Sequence, residues 1–288
     1  MFIKDNSIAS VEKYFQEKLD STFNAREIKI IFKALLARRL GLDENEFLIN
    51  KKQTVSESDL LFFREAIKRL KQDEPLEHIV GYTYFYDLQI LCSPAALIPR
   101  PETEELVDWI LSDFKEHTTI NVLDICSGSG CIALALKNKQ LNWIISGLDI
   151  SASAVDLSKK NAENLELDVP FIAADALALS LQKDAYSCIV SNPPYIPQKD
   201  KSLMHKNVLL YEPSLALFVE DSDPLIFYRE IAKQAFSALK TNGALYFEIH
   251  EEYALATREL LLSLGYFSVE IKKDLQGKER MLKAIKFI

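Results

Sequence analysis

The motif Asn192-Pro193-Pro194-Tyr195 has residue types that could hold a planar nitrogen group. The Asn192 side-chain oxygen and the Pro193 carbonyl are two acceptors that could bind the N–H groups of one amide or amino nitrogen. The two prolines fix φ and carry no N–H that would compete for these oxygens. Tyr195 offers a flat face for stacking. We therefore predict Asn192, Pro193 and Tyr195 to be catalytic, and all four residues, Pro194 included, to bind the acceptor.

The chemistry of such a nitrogen explains why two acceptors would be useful. An amide or aniline-like nitrogen is a weak nucleophile because its lone pair is delocalised into the π system. Acceptors on its N–H groups would favour a more tetrahedral and more nucleophilic nitrogen. In-line displacement of a methyl group from a sulfonium requires alignment more than a strong base. The motif therefore indicates methylation of a planar nitrogen, and a structural proline-rich turn is the alternative.

A glycine-containing loop at residues 124–130 lies between a predicted strand and a predicted helix. Gly128 and Gly130 would let the backbone approach a ligand closely, which a Cβ atom would hinder. Asp149 ends the next predicted strand, and its carboxylate could accept hydrogen bonds from ribose hydroxyls. Asp175 ends a third predicted strand, where it could accept from an adenine amino group; a helix cap is the alternative.

This loop fits two kinds of cofactor. Gly128-x-Gly130-x-x-Ala133 followed by Asp149 also matches a dinucleotide-binding fingerprint. Asp124, however, would repel a pyrophosphate and would suit the sulfonium and ammonium groups of S-adenosylmethionine. Together with the acceptor motif this favours S-adenosylmethionine, with S-adenosylhomocysteine as the product. The cofactor-binding residues predicted from these patterns are Asp124, Gly128, Gly130, Asp149, Asp175 and Ala176, the last through its backbone.

From about residue 120 the hydrophobic pattern alternates between strands and helices. We predict strands over 120–125, 143–149, 187–191 and 244–249, and helices over 131–137, 152–164 and 225–239. Such alternation predicts an α/β fold in which helices cover both faces of a parallel sheet. Ligands of such sheets bind beyond the carboxyl ends of the strands, where the glycine loop, Asp149 and the acceptor motif all fall.

The first 75 residues have helical periodicity and no catalytic constellation. Three apolar stripes predict three helices: Val11, Phe15 and Leu19; then Ile28, Ile31, Phe32, Leu35 and Leu36; then Leu60, Phe63, Ile67 and Leu70. Gly41 should end the second helix and Pro75 the third, and Pro101 should begin a later helix. Aromatic residues between 79 and 98 predict a hairpin. We therefore expect a helical domain at 1–77, which is either a structural cap or a substrate-recognition domain that docks a macromolecule, a β-hairpin linker at 78–98 and a catalytic domain at 99–288.

The composition of the chain limits which substrates and which cellular compartment we expect. The net charge is −8, and residues 1–80 balance to zero, so the remaining chain carries the whole acidic excess. An acidic catalytic half is poorly suited to a phosphate backbone, which makes nucleic acid an unfavourable substrate. No apolar run approaches a membrane span, and the amino terminus has no export signal. Scattered cysteines and histidines argue against a disulfide framework or a metal site. We expect a cytoplasmic monomer without bound metal.

Four segments together resemble the HemK/PrmC-type release factor glutamine methyltransferases. They are residues 97–104 (Leu-Ile-Pro-Arg-Pro-Glu-Thr-Glu), the glycine loop at 124–130, the motif at 192–195, and Tyr211-Glu212-Pro213. Asn-Pro-Pro-Tyr alone is shared with adenine-N6 and other amino methyltransferases. The Pro-Arg-Pro-Glu-Thr-Glu segment, at this distance before the glycine loop, is much more specific, and the resemblance covers nearly the whole chain.

The resemblance implies a fold, a substrate and further site residues. The fold would be a class I methyltransferase, Rossmann-like, with a mostly parallel seven-stranded sheet behind a small helical bundle and a hairpin. The acceptor would be the glutamine of the Gly-Gly-Gln loop of class I peptide chain release factors, giving N5-methylglutamine in support of translation termination. The helical domain would help to grip the release factor. The cofactor contacts would be Cys126, Ser127, Gly128, Ser129, Gly130, Asp149, Asp175, Ala176 and Asn192. Arg100 and Glu102 would line the acceptor site, unless their loop is purely structural.

Two positions depart from the family's pattern. Cys126 replaces the usual first glycine of the loop, and we expect it to be tolerated by keeping a negative φ. Ala176 replaces a larger aromatic residue, so adenine packing there would differ. Two other functions stay open from the sequence: methylation of an exocyclic amino group on a nucleic-acid base, and cofactor binding without catalysis.

Overall fold

The computed structural model describes residues 5–287, apart from the side chain of Glu44. Twelve α-helices lie within this range: α1 Ile8–Leu19, α2 Ala25–Leu40, α3 Glu44–Ile49, α4 Glu57–Leu70, α5 Leu76–Val80, α6 Pro101–Asp113, α7 Cys131–Lys139, α8 Ala152–Asn164, α9 Lys206–Tyr211, α10 Ser214–Leu217, α11 Ile226–Ala238 and α12 Ala254–Ser263. The same range contains eleven strands: β1 Tyr82–Phe85, β2 Leu88–Leu91, β3 Asn121–Ile125, β4 Ile144–Asp149, β5 Phe171–Ala173, β6 Tyr186–Ser191, β7 Ile196–Pro197, β8 Phe218–Val219, β9 Leu239–Glu248, β10 Phe267–Lys273 and β11 Glu279–Ile285.

The chain forms two compact units. The first comprises the chain up to Gly81 together with His205–Tyr211, and the second comprises Tyr82–Met204 and Glu212–Ile288. The hairpin β1–β2 therefore belongs to the second unit, and a segment from far along the chain, which contains α9, belongs to the first. The division into functional domains at 1–77, 78–98 and 99–288 stays a prediction.

The first unit is built from the amphipathic helices that the sequence predicts. The five apolar residues of the α2 stripe are all buried, as are Val11, Phe15 and Leu19 of α1. A capping box between Asn24 and Glu27 begins α2, and Gly41, with φ at 69°, ends it as expected. The end predicted for the third helix is wrong, because α4 stops at Leu70. Pro75 instead precedes α5.

The core of the first unit is aromatic. The Phe32 ring has its centroid 5.4 Å from that of Phe15, 5.7 Å from that of Phe63 and 6.0 Å from that of Phe47. Tilted and edge-on pairs at these separations add attraction beyond the burial of apolar area. The α9 segment attaches to this unit through the Tyr211 hydroxyl, which donates to the Gln72 carbonyl at 2.8 Å.

The second unit contains the predicted hairpin and a seven-stranded sheet. In the hairpin, β1 pairs antiparallel with β2 across Tyr86 and Asp87, both with positive φ, as a tight two-residue turn requires. The sheet has the order β10-β11-β9-β6-β3-β4-β5. β11 pairs antiparallel with both neighbours, whereas the other strand pairs are parallel. The predicted mostly parallel sheet is confirmed.

Strand order determines where a ligand can bind. From β3 the chain moves outward through β4 to β5, then returns to form β6 on the other side of β3. The carboxyl ends of β3 and β6 therefore flank a topological switch point, where open α/β sheets form their ligand crevices. The glycine loop follows β3 and the acceptor motif follows β6, so this topology brings the two together.

Helices cover both faces of the sheet, and alternate strand residues face opposite cores. Cys188 and Val190 of β6 pack into one cluster with α6, α7 and α8, and Ile189 packs into the other with α11 and α12. Most predicted elements of this unit are confirmed within a few residues. β9 begins at Leu239, five residues before the predicted start at Ala244. The residue pattern did not predict α12, β10 or β11, although the resemblance implied seven strands.

Candidate active site

A cavity lies at the carboxyl ends of β3, β4, β5 and β6, within the second unit. Of the predicted site residues, ten line it: Arg100, Cys126, Ser127, Gly128, Ser129, Asp149, Asp175, Ala176, Asn192 and Pro194. Five others lie outside its lining: Glu102, Asp124, Gly130, Pro193 and Tyr195. Most of the predicted cofactor residues and part of the acceptor motif therefore meet at one place.

Cys126 has a left-handed backbone, with φ at 62°. The expectation of a negative φ at this position is therefore wrong. The chain must turn sharply at this residue, because β3 ends just before it, at Ile125, and Ser127 just after it already bonds to β4. The Ser127 N–H donates to the Leu148 carbonyl at 2.9 Å. The glycine that the family usually has at this position could have predicted this conformation, because a non-glycine residue is strained at positive φ. Burial raises the pKa of the Cys126 thiol, which therefore stays neutral.

Asp149 organises the loop by accepting backbone hydrogen bonds. Its Oδ2 accepts from Gly128 N–H at 2.9 Å, and its Oδ1 accepts from Ser151 N–H at 2.9 Å. Each carboxylate oxygen has a second lone pair, so the group can still accept from a ligand. Gly128, with φ at 55°, lines the cavity together with Cys126, Ser127 and Ser129.

Gly130 has a packing role. Its φ is 82°, and a Cβ built on it would lie 2.8 Å from the Phe171 ring. That ring also lies against Gly147, where an added Cβ would come within 2.5 Å. The absence of a side chain at Gly130 is therefore explained by the phenylalanine, and its predicted contact with a cofactor stays a prediction.

Asp124 lies beneath the loop, fully buried. Its Oδ2 accepts from Ala133 N–H at 3.3 Å, whereas its Oδ1 and the Ser127 hydroxyl have no partner among residues 5–287. Burial raises the pKa of Asp124 to about 8; the negative charge of Asp149 adds to this, and the Ala133 N–H opposes it. Its predicted direct contact with a cationic cofactor stays a prediction.

Asp175 and Ala176 follow β5 and form a turn at the cavity wall. Asp175 Oδ1 accepts from Leu177 N–H at 2.9 Å. No helix follows within the next residues, so the alternative that Asp175 caps a helix is wrong. The carboxylate is exposed, whereas Ala176 is buried.

The Asn192 side chain is partly exposed, lines the cavity and makes no hydrogen bond within the described chain. The Pro193 carbonyl likewise has no donor there. The residue before them is fixed, because the buried Ser191 hydroxyl donates to the Ile125 carbonyl at 2.6 Å. Within residues 5–287, the two acceptors that the sequence singled out are thus left without donors.

Tyr195 points toward a carboxylate that the sequence analysis missed. Its hydroxyl donates to Glu248 Oε1 at 3.0 Å, and its ring meets His250 edge-on, with centroids 6.0 Å apart. Burial and the neighbouring carboxylate raise the pKa of Tyr195 well above its usual value. Its predicted stacking on the acceptor stays a prediction.

Glu248 is the last residue of β9 and is buried. Its Oε2 accepts from the Thr103 hydroxyl at 2.6 Å. Burial is the main cause that raises the pKa of Glu248. The signal that could have found it is the one that identified Asp149, an acidic residue at the end of an apolar strand.

The family segment at 97–104, called the signature segment from here on, is tied to Glu212 by charge just before α6 begins. Arg100 forms an ion pair with this buried carboxylate, and Ile98 N–H donates to Glu212 Oε2 at 3.1 Å. Both Arg100 and Ile98 line the cavity. Glu102 lies elsewhere, where its Oε1 accepts from the Gln276 side chain at 2.9 Å. Its predicted place in the acceptor site stays a prediction.

Comparison with known proteins identifies the family. Residues 105–217 match the Methyltransferase small domain and residues 20–81 match the PrmC N-terminal domain. A release factor glutamine methyltransferase of Flavobacterium psychrophilum is 37% identical over 96% of this chain and 98% of its own length. That of Bacteroides thetaiotaomicron is 36% identical over 95% and 98%. This chain belongs to the release factor glutamine methyltransferase family.

Solved structures agree on the fold of this release factor glutamine methyltransferase family member. A methyltransferase from Pyrococcus furiosus aligns with a TM-score of 0.54 at 17% identity, over 76% of this chain and all of its own. The hMettl16 catalytic domain aligns with a TM-score of 0.57 at 16% identity, over 81% of this chain and 82% of its own. The predicted class I methyltransferase fold is confirmed. No helix within residues 5–287 has both the length and the apolar character that crossing a membrane requires.

Proposed function

We propose that this protein transfers a methyl group from S-adenosylmethionine to the glutamine side-chain amide in the Gly-Gly-Gln loop of class I peptide chain release factors. The product is N5-methylglutamine. The observation that carries the proposal is the pair of unused acceptors, Asn192 Oδ1 and the Pro193 carbonyl, at the switch point beside the glycine loop. Membership of the family supports the choice of substrate.

The residues present suit S-adenosylmethionine. The Ser127 hydroxyl is buried at the cavity wall and has no partner among residues 5–287, so it can bind a polar group of the cofactor. Asp149 keeps a lone pair on each oxygen for ribose hydroxyls. In the described part of the chain, a Cβ on Gly128 would have only Ala96 within 4 Å, at 3.8 Å, so the backbone here borders open space. The cofactor supplies a methyl group made electrophilic by a sulfonium.

The chain's own contribution is to hold and align the nitrogen. Asn192 Oδ1 and the Pro193 carbonyl accept hydrogen bonds from the two N–H groups of the amide and so reduce delocalisation of the nitrogen lone pair. Alignment of this kind can supply much of the barrier reduction. Glu248 is unsuited to act as a base, because it is only 3% exposed and its oxygens already accept from the Tyr195 and Thr103 hydroxyls inside the protein. The proton that the nitrogen loses therefore passes to water.

The experiment that tests this function is a labelling assay. The protein is incubated with S-adenosylmethionine carrying a labelled methyl group and with purified release factor, and the methyl is located by mass spectrometry. We expect a single label on the glutamine of the Gly-Gly-Gln loop. Parallel reactions with DNA and ribosomal RNA at near-physiological salt test the nucleic-acid alternative. Label on nucleic acid with none on the release factor would refute the proposal.

We also propose that the first unit helps to bind intact release factor. Its helix α3 exposes apolar side chains; Ile49 is 82% exposed. Ile49→Asp should raise KM for intact release factor several-fold and leave KM for a short loop peptide unchanged. The matched control is Leu141→Asp, which alters a 66% exposed leucine before β4, at the end of the sheet opposite the cavity. Equal KM changes for factor and peptide would contradict this role.

The protein is further proposed to act as a monomer in the cytoplasm. The chain carries both a cofactor cavity and an acceptor motif in one unit, so no second copy is needed to complete the site. Light scattering after size-exclusion chromatography should give one chain mass, near 32.8 kDa. A stable dimer at assay concentrations would contradict the monomer.

A further inference from the structure

We infer that Glu248 is a positioning residue, which fixes Tyr195 and through it the two acceptor oxygens of the 192–195 motif. The inference rests on the proposed function, in which those oxygens hold the amide. The motif residues follow directly after β6, whereas Glu248 is the last residue of the neighbouring strand β9.

Register places Glu248 beside the motif. Ser191, the last residue of β6, pairs with Phe247 of β9, so Asn192 and Glu248 each follow directly. Glu248 is only 3% exposed, and each of its oxygens has one hydroxyl donor, from Tyr195 at 3.0 Å and from Thr103 at 2.6 Å. Because Thr103 belongs to the signature segment and lines the cavity, one carboxylate holds two functional segments at the same strand end.

The surroundings let Glu248 remain buried. Met281 of β11 pairs with Glu248, and Arg280 beside it contributes an opposing positive charge. Arg280 is itself fixed by Asp274, with Nε 3.4 Å from Oδ2. Charge compensation and hydrogen-bond donors on both oxygens are what a buried carboxylate requires. The negative charge of Glu102 on α6 acts against Arg280, because it raises the pKa of Glu248.

The acceptor oxygens lie between two fixed points of the chain. On one side the Ser191 hydroxyl is bonded to the end of β3 at 2.6 Å, and on the other the Tyr195 hydroxyl is bonded to Glu248. Only Asn192 and two prolines separate them, and proline leaves φ no freedom. Loss of the Glu248 bond would free one end of this short span, and displacements of about 1 Å at a reacting group can cost up to about a hundredfold in rate.

A double-mutant cycle tests this role. We expect Glu248→Gln and Tyr195→Phe each to lower kcat about tenfold, while the Kd for S-adenosylmethionine by calorimetry changes less than about twofold. The double variant should be no slower than the slower single variant, since both act on the same bond: Tyr195→Phe removes its donor, and Glu248→Gln replaces the charged acceptor with a weaker neutral one. Multiplying effects, or a parallel loss of cofactor affinity, would overturn the inference.

A matched control weakens a similar bond away from the site. Tyr246 of β9 donates its hydroxyl to Asp113 of α6 at 2.6 Å, so Asp113→Asn replaces the charged acceptor of another tyrosine–carboxylate bond with a neutral one. Its kcat should equal that of the unmodified protein. If Asp113→Asn lowers kcat as much as Glu248→Gln does, general loosening explains both and the inference fails.

A spectroscopic readout separates this inference from the proposed function. With ¹³Cζ-labelled tyrosine, the Tyr195 signal is identified by its loss in Tyr195→Phe. It should shift in Glu248→Gln and stay in place in Asp113→Asn. An unmoved signal would overturn the positioning role even if release factor is methylated. If the unmodified protein fails to methylate release factor while the signal shifts, the proposed substrate fails and the Glu248–Tyr195 bond stands.

Discussion

Two asparagines near the cavity show how differently the fold can use one side-chain type. Asn161 is fully buried, and its amide accepts from Leu91 N–H at 2.7 Å and donates to the Ser129 carbonyl at 2.9 Å. Asn192 has no such partner within the described chain. A polar side chain that the fold leaves unused at a ligand cavity is more informative than one that the fold needs.

Asn192→Ala should therefore affect turnover rather than folding. We expect kcat for release factor methylation to fall by about 10²–10³, as for loss of a single well-placed polar group in other active sites. Cofactor Kd should change much less, and Tm should stay within about 2 °C. In contrast, Asn161→Ala should lower Tm clearly, because it leaves buried backbone groups without partners. Equal losses of kcat and cofactor affinity in Asn192→Ala would show that Asn192 mainly builds the cofactor cavity.

The left-handed backbone at Cys126 makes a second prediction at the residue scale. Cys126→Gly should retain stability, since glycine adopts this φ without strain. Cys126→Val should lower the free energy of unfolding by about 1–2 kcal/mol relative to the unmodified protein, because branching at Cβ worsens the strain. Urea unfolding measures both. Cys131→Val is the control, since Cys131 lines the same cavity but has a helical backbone. A similar loss at both cysteines would contradict strain as the cause.

Elements whose evidence is local were predicted well from the sequence, and elements defined by distant contacts were not. The stripe of α2 and its Gly41 cap lie within one helix, and α8 has the predicted ends, Ala152 and Asn164. The attachment of α9 to the first unit depends on a contact between Tyr211 and Gln72, which no periodicity reveals. The same holds at the site: Asp149 and Asn192 follow strands directly, but the bond from Glu248 to Tyr195 depends on strand order.

The tie between Arg100 and Glu212 is an element-scale feature with a measurable consequence. Glu212→Gln weakens bonds to Arg100 and to Ile98 N–H, both at the cavity wall. We expect a loss of about 1–3 kcal/mol in stability and weaker cofactor binding by calorimetry, because the loop before α6 is no longer fixed. Glu17→Gln, which removes an exposed i,i+4 pair at 4.0 Å, should cost less than about 0.5 kcal/mol. Unchanged cofactor affinity in Glu212→Gln would exclude a role for this tie in shaping the cavity.

Stability of the whole molecule should depend on pH through Asp124. Its pKa is about 8 in the folded protein against 3.8 ordinarily, so the folded state binds the proton more tightly. Stability is therefore greatest below pH 4 for this group and is lost as pH rises toward 8, by at most about 1.4 kcal/mol per pH unit. Asp124→Asn should flatten the decline in unfolding free energy between pH 5 and pH 8.

The control for this dependence is Asp87→Asn, which alters a carboxylate whose side chain is 92% exposed. Its unfolding free energy should follow the pH course of the unmodified protein. If Asp124→Asn shows the same decline as the unmodified protein, a different group is responsible. Urea denaturation curves at half-unit pH intervals would decide between these outcomes.

The first unit is assembled from two stretches of chain, and this affects how its gene could have been rearranged. The polypeptide passes between the two units at Gly81, at Met204 and again at Tyr211. A recombination event that exchanged only the amino-terminal coding region would leave α9 beside a bundle that it did not evolve with. We therefore expect substitutions in the bundle and in the 205–211 segment to co-vary among related sequences, although more than a hundred codons separate the two regions.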